Sequence, residues 1–418
     1  MTLRQVAAFG TSVLLVLFVY SGLIKWLPFP IDPTILFGSC LVVPLLVGVW
    51  HGFPRVCGDA GIAVLLMLAF FTWYLFSSVY TISDEFWQHK TLTVALSVLA
   101  FIVPLVCFRT PEHFRYLGIA LLGLTVGIVL VVFAFYLSGN INFLLRQGFD
   151  KETTKIPDYL TLGSVLGIGV LVALARPTAL NLALALSAMG ALLILAARGP
   201  ILFAVLMIAA SYFLYRKAPR SRRVSLATYL FVLAALAVAL TQWAGAEFAV
   251  ERFTKTLASG RDLEQGLRVE EFTIALRVIA AQPLLGVGLG GYGKAGYGSD
   301  ENIYPHNLFL EAFAESGVMG FALFTSGIIV TFALALRGRS NAAPYFVLLA
   351  FVVLNYTKSG GFVSARDLFM FLGAFLAHVN SSQLEGANPF TAHLDGGAPA
   401  TPIHPRPIQC LKGNESPS

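Results

Sequence analysis

One interval of the chain gathers the residue types that handle anions and protons. Between two apolar stretches, residues 242–306 carry Arg252, Lys255, Arg261, Arg268 and Arg277, then the run Pro283-Leu284-Leu285-Gly286-Val287-Gly288, and close on Pro305-His306 with Asn307 following. Arginine keeps its proton and grips phosphate oxygens with a planar fork. Histidine, with a pKa near neutrality, can take a proton from a weak nucleophile. Connections that merely join elements are usually short, so an interval of about 60 residues predicts a loop that acts on something. A further Arg198-Gly199-Pro200 turn sits between two other apolar stretches.

The local pattern says how these residues are carried. Residues 262–281 read as an amphipathic helix lying along a membrane: Leu263, Leu267, Ile274, Leu276, Val278 and Ile279 supply apolar surface, while Arg261, Glu264, Arg268, Glu271 and Arg277 supply polar positions. Pro283 stops it. Residues 286–298 then hold seven glycines in thirteen, with Tyr292, Lys294 and Tyr297. Glycine permits positive φ and close backbone approach, which suits a flap over a substrate or a flexible connector equally well. No Walker or dinucleotide fingerprint is present.

Composition sets the class. Of 418 residues, 57% are hydrophobic and only 12% charged, about half the charge of an average globular chain. This is an integral membrane protein, expected to be all-α. Apolar segments fall near residues 7–24, 34–50, 61–80, 92–108, 116–138, 159–175, 179–196, 200–215, 226–243, 307–336, 342–356 and 366–380. A helix needs about 20 residues to cross the hydrocarbon core, so about 12 transmembrane helices are expected. The first segment exceeds a signal-peptide core and is kept as a span. The net charge of +6 is scattered over loops rather than gathered on one face, so no nucleic acid partner is expected. Arg216, Lys217, Arg220, Arg222 and Arg223 form a basic turn without acids, which marks the cytoplasmic side. Alternation puts Arg55, Arg109, Arg115, Arg176, Arg337, Arg339 and both termini there too, and the 243–306 loop on the opposite, periplasmic side. Residues 1–380 form one membrane domain, and residues 381–418, rich in Pro, Gly, Ser and Asn, a disordered cytoplasmic tail. Cys40, Cys57, Cys107 and Cys410 make no CxxC pair, and Asp84, Glu85 and His89 are too sparse a set for a metal, so neither metal nor other cofactor is expected.

The ordered set of motifs carries more. Arg268 with Phe272 four residues on, then Pro283-Leu284-Leu285-Gly286-Val287-Gly288, then His306-Asn307 with Glu311 and Ala314-Glu315-Ser316-Gly317, resembles the signature of the O-antigen ligase and polymerase superfamily. Arg198-Gly199-Pro200 resembles that family's periplasmic Arg-Gly turn. The usual tryptophan after the loop arginine is Phe272 here. The resemblance covers about 60 residues closely and the hydrophobic layout loosely. It implies a metal-independent glycosyltransferase of the bacterial inner membrane, moving a glycan from undecaprenyl diphosphate to a hydroxyl at the periplasmic face by direct displacement with inversion. In that chemistry Arg198 and Arg268 hold the diphosphate as it leaves, and His306 is the general base. Arg261, Arg277, Lys294, Tyr304 and Asn307 are lesser substrate-binding candidates.

Plainer readings stand beside each. Arg198 can snorkel to headgroups, Arg268 can be one solvated charge on an amphipathic helix, His306 can sit at a helix cap with Asn307, and Tyr292 and Tyr304 can anchor the interface instead of stacking on sugars. Glu311 and Glu315 look like helix-face residues at i,i+4. The favoured reading is an O-antigen ligase with lipid A core as acceptor and membrane lipid around it. The earlier loop, residues 138–158, is short and holds only Arg146 as an arginine, which turns the choice away from a polymerase. A protein O-oligosaccharyltransferase shares the chemistry. A lipid-linked sugar transporter, the reading from another class, would place polar groups in broken helices at mid-membrane.

Overall fold

The computed structural model describes residues 2–25, 30–52, 58–141, 144, 159–176, 178–214, 263–337 and 343–385. The segment near 226–243, the basic turn at 216–223, most of the 138–158 loop, the first part of the long loop and the tail fall outside the described residues. Among the described residues all regular structure is helical. In chain order the helices are α1 (Leu3–Val19), α2 (Pro33–Trp50), α3 (Gly58–Phe76), α4 (Phe86–Cys107), α5 (Pro111–Leu137), α6 (Tyr159–Ala175), α7 (Ala179–Ile194), α8 (Arg198–Leu214), α9 (Leu263–Ala281), α10 (Tyr292–Tyr297), α11 (Leu308–Arg337), α12 (Ala343–Lys358) and α13 (Arg366–Glu385).

Helices α1–α8 and α11–α13 fall on the apolar runs, α9 falls on the segment read as amphipathic at 262–281, and α10 lies inside the glycine-rich stretch. Five stretches, Pro33–Trp50, Gly58–Tyr80, Phe86–Cys107, Pro111–Leu137 and Leu308–Arg337, are long and apolar enough to cross a membrane, and shorter apolar helices stand at Leu3–Val19, Tyr159–Ala175, Ala179–Ile194, Arg198–Ser211 and Pro344–Lys358. The outward faces stay greasy: Leu46, Leu65, Leu130 and Leu202 are all more than half exposed, as lipid-facing side chains are. The protein is a membrane protein.

Two packing groups organise the bundle. Helix α11 lies along α3, and α13 along α4, with Phe70, Phe71, Phe324, Phe362 and Phe369 interlocked between them. Helices α6, α7, α8 and α12 pack as the other group, and α1 and α5 join the two. One end of the bundle collects the start of α4, residues 282–307, the start of α11, the 359–365 connection and the start of α8. At the other end Arg109 donates to the carbonyls of Gly48, at 2.7 Å, and His51, at 3.1 Å, and Arg337 pairs with Asp59.

Candidate functional site at one end of the bundle

The site rests on a break in α11. At Gly317 the backbone turns to φ 64° and ψ −168°, so the carbonyls just before it lose their helical donors. The Pro283–Gly288 turn supplies replacements: Val287 N–H donates to Ala314 O and Gly288 N–H to Glu315 O, both at 2.9 Å, while Val318 N–H donates to Pro283 O at 2.9 Å. Trp73 Nε1–H takes Ser316 O at 2.9 Å. The glycines are what allow this approach. A Cβ on Gly317 would lie 2.1 Å from Leu284 O, and one on Gly288, itself at φ +83°, would lie 2.2 Å from Thr81 Cα. Residues 286–293 are buried. This part of the glycine-rich stretch is thus neither a flap nor a loose connector but packed backbone, and Tyr292, with no exposed surface, is closed to a sugar.

The same segment is tied to the α3–α4 connection. Ile82 N–H donates to Val287 O at 3.2 Å and Thr81 Oγ1–H to Leu289 O at 2.9 Å. Asp300 accepts from Ser83 Oγ–H at 2.6 Å and from the N–H groups of Asp84, Glu85 and Phe86 at 2.8, 2.7 and 3.3 Å, capping α4 from outside its own chain segment. Burial pushes the Asp300 carboxyl up, but the hydroxyl and the three N–H donors together hold it below its usual value.

On this frame stands His306, half-exposed and at φ 49°, an uncommon backbone position for a residue with a side chain. Its Nε2 lies 3.5 Å from Glu271 Oε1 of α9, a longer approach than a tight hydrogen bond. Tyr304 packs on the imidazole with ring centroids 4.6 Å apart. The Glu271 backbone carbonyl accepts from Tyr292 Oη–H at 3.2 Å, and Ala275, Val278 and Ile279 on the buried face of α9 pack with Val287 and Ala314. Asn307 caps α11: its Oδ1 accepts from Phe309 and Leu310 N–H at 3.0 and 3.1 Å, and its Nδ2–H reaches Thr357 O of α12 at 3.0 Å.

Behind His306 lies a buried ionic trio. Lys90 Nζ sits 2.5 Å from Glu311 Oε1 and 2.7 Å from Glu315 Oε1, with all three side chains at most 1% exposed. Tyr74 Oη–H donates to Glu315 Oε2 at 2.6 Å and Phe362 N–H to Glu311 Oε2 at 3.0 Å. The two glutamates therefore share one face of α11, turned inward.

The other predicted residues distribute as follows. Arg198 opens α8, half-buried, and the Gly199 beside it abuts Lys358, whose Nζ would lie 3.4 Å from a Cβ there. Arg268 belongs to α9, three residues before Glu271, with its side chain outside the described residues, as is Arg261 entirely. Arg277 is exposed on α9. Lys294 is drawn to Asp84, at 2.6 Å, not to His306. Sequence reasoning gave no part to Lys90 or Lys358, and read Glu271 and Glu311 only as helix-face residues. The available signal was the i,i+4 glutamate pair in an apolar span, since intramembrane charges find a partner.

This geometry defines a class: a helical membrane protein with a histidine–carboxylate pair at one end of its bundle. Residues 182–325 match the family described as O-antigen ligase. That stretch contains Arg198, Arg268, His306 and both buried glutamates, whereas Lys90 and Lys358 lie outside it. No curated protein matches the chain.

Proposed function

We propose that the protein is an O-antigen ligase, transferring a glycan from undecaprenyl diphosphate to lipid A core at the periplasmic face of the inner membrane. The observation that carries this reading is the His306–Glu271 pair: a half-exposed imidazole facing a carboxylate on the helix that also carries Arg268, all inside the matched domain. A base oriented by a second group is the arrangement that removes a proton from a sugar hydroxyl. His306 takes that proton as the acceptor oxygen attacks the anomeric carbon from the face opposite the diphosphate. The bond from that carbon to the phosphate oxygen breaks with its electron pair going to the diphosphate, and configuration inverts. Arg198 and Arg268 hold the departing charge. Catalytic contacts in a free protein are often long and close only with substrate, which suits the 3.5 Å approach.

Orientation follows from charge. Arg109, Arg115, Arg176 and Arg337 stand at the end away from His306, and arginine-rich ends stay in the cytoplasm. The test is transfer of labelled glycan from undecaprenyl diphosphate in liposomes, offered lipid A core or a second lipid-linked unit, with the wild type and His306→Ala. Label reaching lipid A core with the wild type alone is expected. A ladder of longer lipid-linked chains makes the protein a polymerase, and donor binding without transfer to either acceptor brings forward a protein hydroxyl acceptor or a carrier.

A further inference from the structure

We propose that the buried Lys90–Glu311–Glu315 trio is a positioning device for His306, and that Tyr304 serves as the seat of the imidazole rather than as a sugar-stacking face. The inference rests on reading His306 as the base. The trio is closed to substrate: each side chain is at most 1% exposed, and the lysine faces two carboxylates, so it has no reach to a diphosphate. Nor does stability call for it, since a well-packed apolar trio of similar volume is often at least as stable as a buried ionic one. What it does provide is direction. Lys90 and Phe362 N–H hold the two oxygens of Glu311 at 2.5 and 3.0 Å, on opposite sides. Glu311 Oε2 thereby fixes the 359–365 connection onto α11.

Gly361 is the joint between this anchor and the site. A Cβ built on it would lie 2.7 Å from Glu311 Oε2 and 3.0 Å from Tyr304 Cγ, so carboxylate, glycine and tyrosine ring are in direct succession. Tyr304 then meets His306 at 4.6 Å between ring centroids. His306 needs such a seat because its φ of 49° is one that side-chain-bearing residues rarely keep unaided. Glu315, held by Tyr74 and by the carbonyl contact of Gly288, links the same trio to the Pro283–Gly288 crossing. Through two glutamates one turn apart, Lys90 ties the 359–365 connection and the Pro283–Gly288 crossing to the same stretch of α11.

Two substitutions test this. Glu311→Gln removes the charge at constant size. Gly361→Ala leaves all three charges in place and forces the joint apart, so it carries the test if Glu311→Gln fails to fold. Gly123→Ala, where an added Cβ meets nothing within 4 Å, is the control. Both test variants are expected to lower kcat for transfer about tenfold or more, with donor KM within about twofold, because misplacing a reacting group slows the chemical step. The side-chain resonance of His306, identified in 13C-histidine-labelled protein by its loss in His306→Ala, is expected to move at fixed pH in both variants and not in the control. Folded variants with kcat and resonance unchanged overturn the proposal, as does a raised donor KM at constant kcat, which assigns the trio to donor binding. If the wild type transfers nothing, the ligase reading fails by itself and the resonance alone decides: movement supports positioning, none overturns it.

Discussion

At the scale of single residues, His306 and Glu271 form the pair with the clearest chemical consequence. A carboxylate beside a general base sets its orientation and stabilises the cation formed when the proton arrives. Glu271→Gln keeps the shape and removes the charge. It is expected to cut kcat by about ten- to a hundredfold and leave donor KM within about twofold, read in the liposome assay. Equal losses in Lys294→Gln would contradict this, since Lys294 is spent on an exposed pair with Asp84, of a kind that contributes little. Asp300 yields a pH prediction. Its carboxyl is held below the usual value in the folded protein, so its contribution is present above the unfolded pKa of about 3.9 and is lost as pH falls through the lower folded value. Melting temperatures across pH should show the wild type ahead of Asp300→Asn at neutrality and the gap closing below about pH 4. A gap independent of pH would mean that the capping bonds do not need the charge.

At the scale of elements, the crossing of the Pro283–Gly288 turn with the broken α11 holds the site together. Gly317→Ala faces both a left-handed φ and a backbone oxygen 2.1 Å from the new Cβ, and backbone cannot swing aside as a side chain can. It is expected to destabilise by about 3 kcal/mol or more, or to abolish monodisperse protein in detergent, as read by size-exclusion chromatography and thermal melting. An unchanged melting curve would show that the break is not needed. The helices themselves were legible in the sequence because apolar runs of span length have few other folded fates. The turn was legible from Pro283 and its glycines. That the turn docks on Gly317 was not, since nothing local to residues 283–288 names a partner some 30 residues away. Lys90 was overlooked because a lone lysine near the start of a span reads as a snorkelling side chain, and Glu271 because any carboxylate on an amphipathic helix reads as solvated. The glycine-rich stretch misled for the same reason: glycine serves mobility and close packing alike, and only the contacts distinguish them.

At the scale of the whole molecule, the arrangement suits the proposed transfer between two lipid-borne substrates. The His306–Glu271 pair stands at one end of the bundle, while the flanks of α2, α3, α5 and α11 keep exposed apolar residues such as Leu46, Leu65, Leu130 and Ile329. A donor anchored by a polyprenyl chain can then stay in the bilayer and present only its diphosphate and sugar to the site. For that to serve lipopolysaccharide assembly outside the cytoplasm, the His306 end must face the periplasm. The arginines at the opposite end, Arg109, Arg176 and Arg337 among them, are the charge pattern that the proposed orientation rests on. Single cysteines placed at Lys294 and at Arg337, in a background with Cys40, Cys57, Cys107 and Cys410 replaced by serine or alanine, test it with a membrane-impermeant maleimide. In cells with only the outer membrane permeabilised, position 294 is expected to label and position 337 to label only after the inner membrane is opened. The reverse pattern would put the histidine in the cytoplasm, away from a periplasmic acceptor. The ligase reading would then give way to a transfer completed before the lipid-linked glycan crosses the membrane.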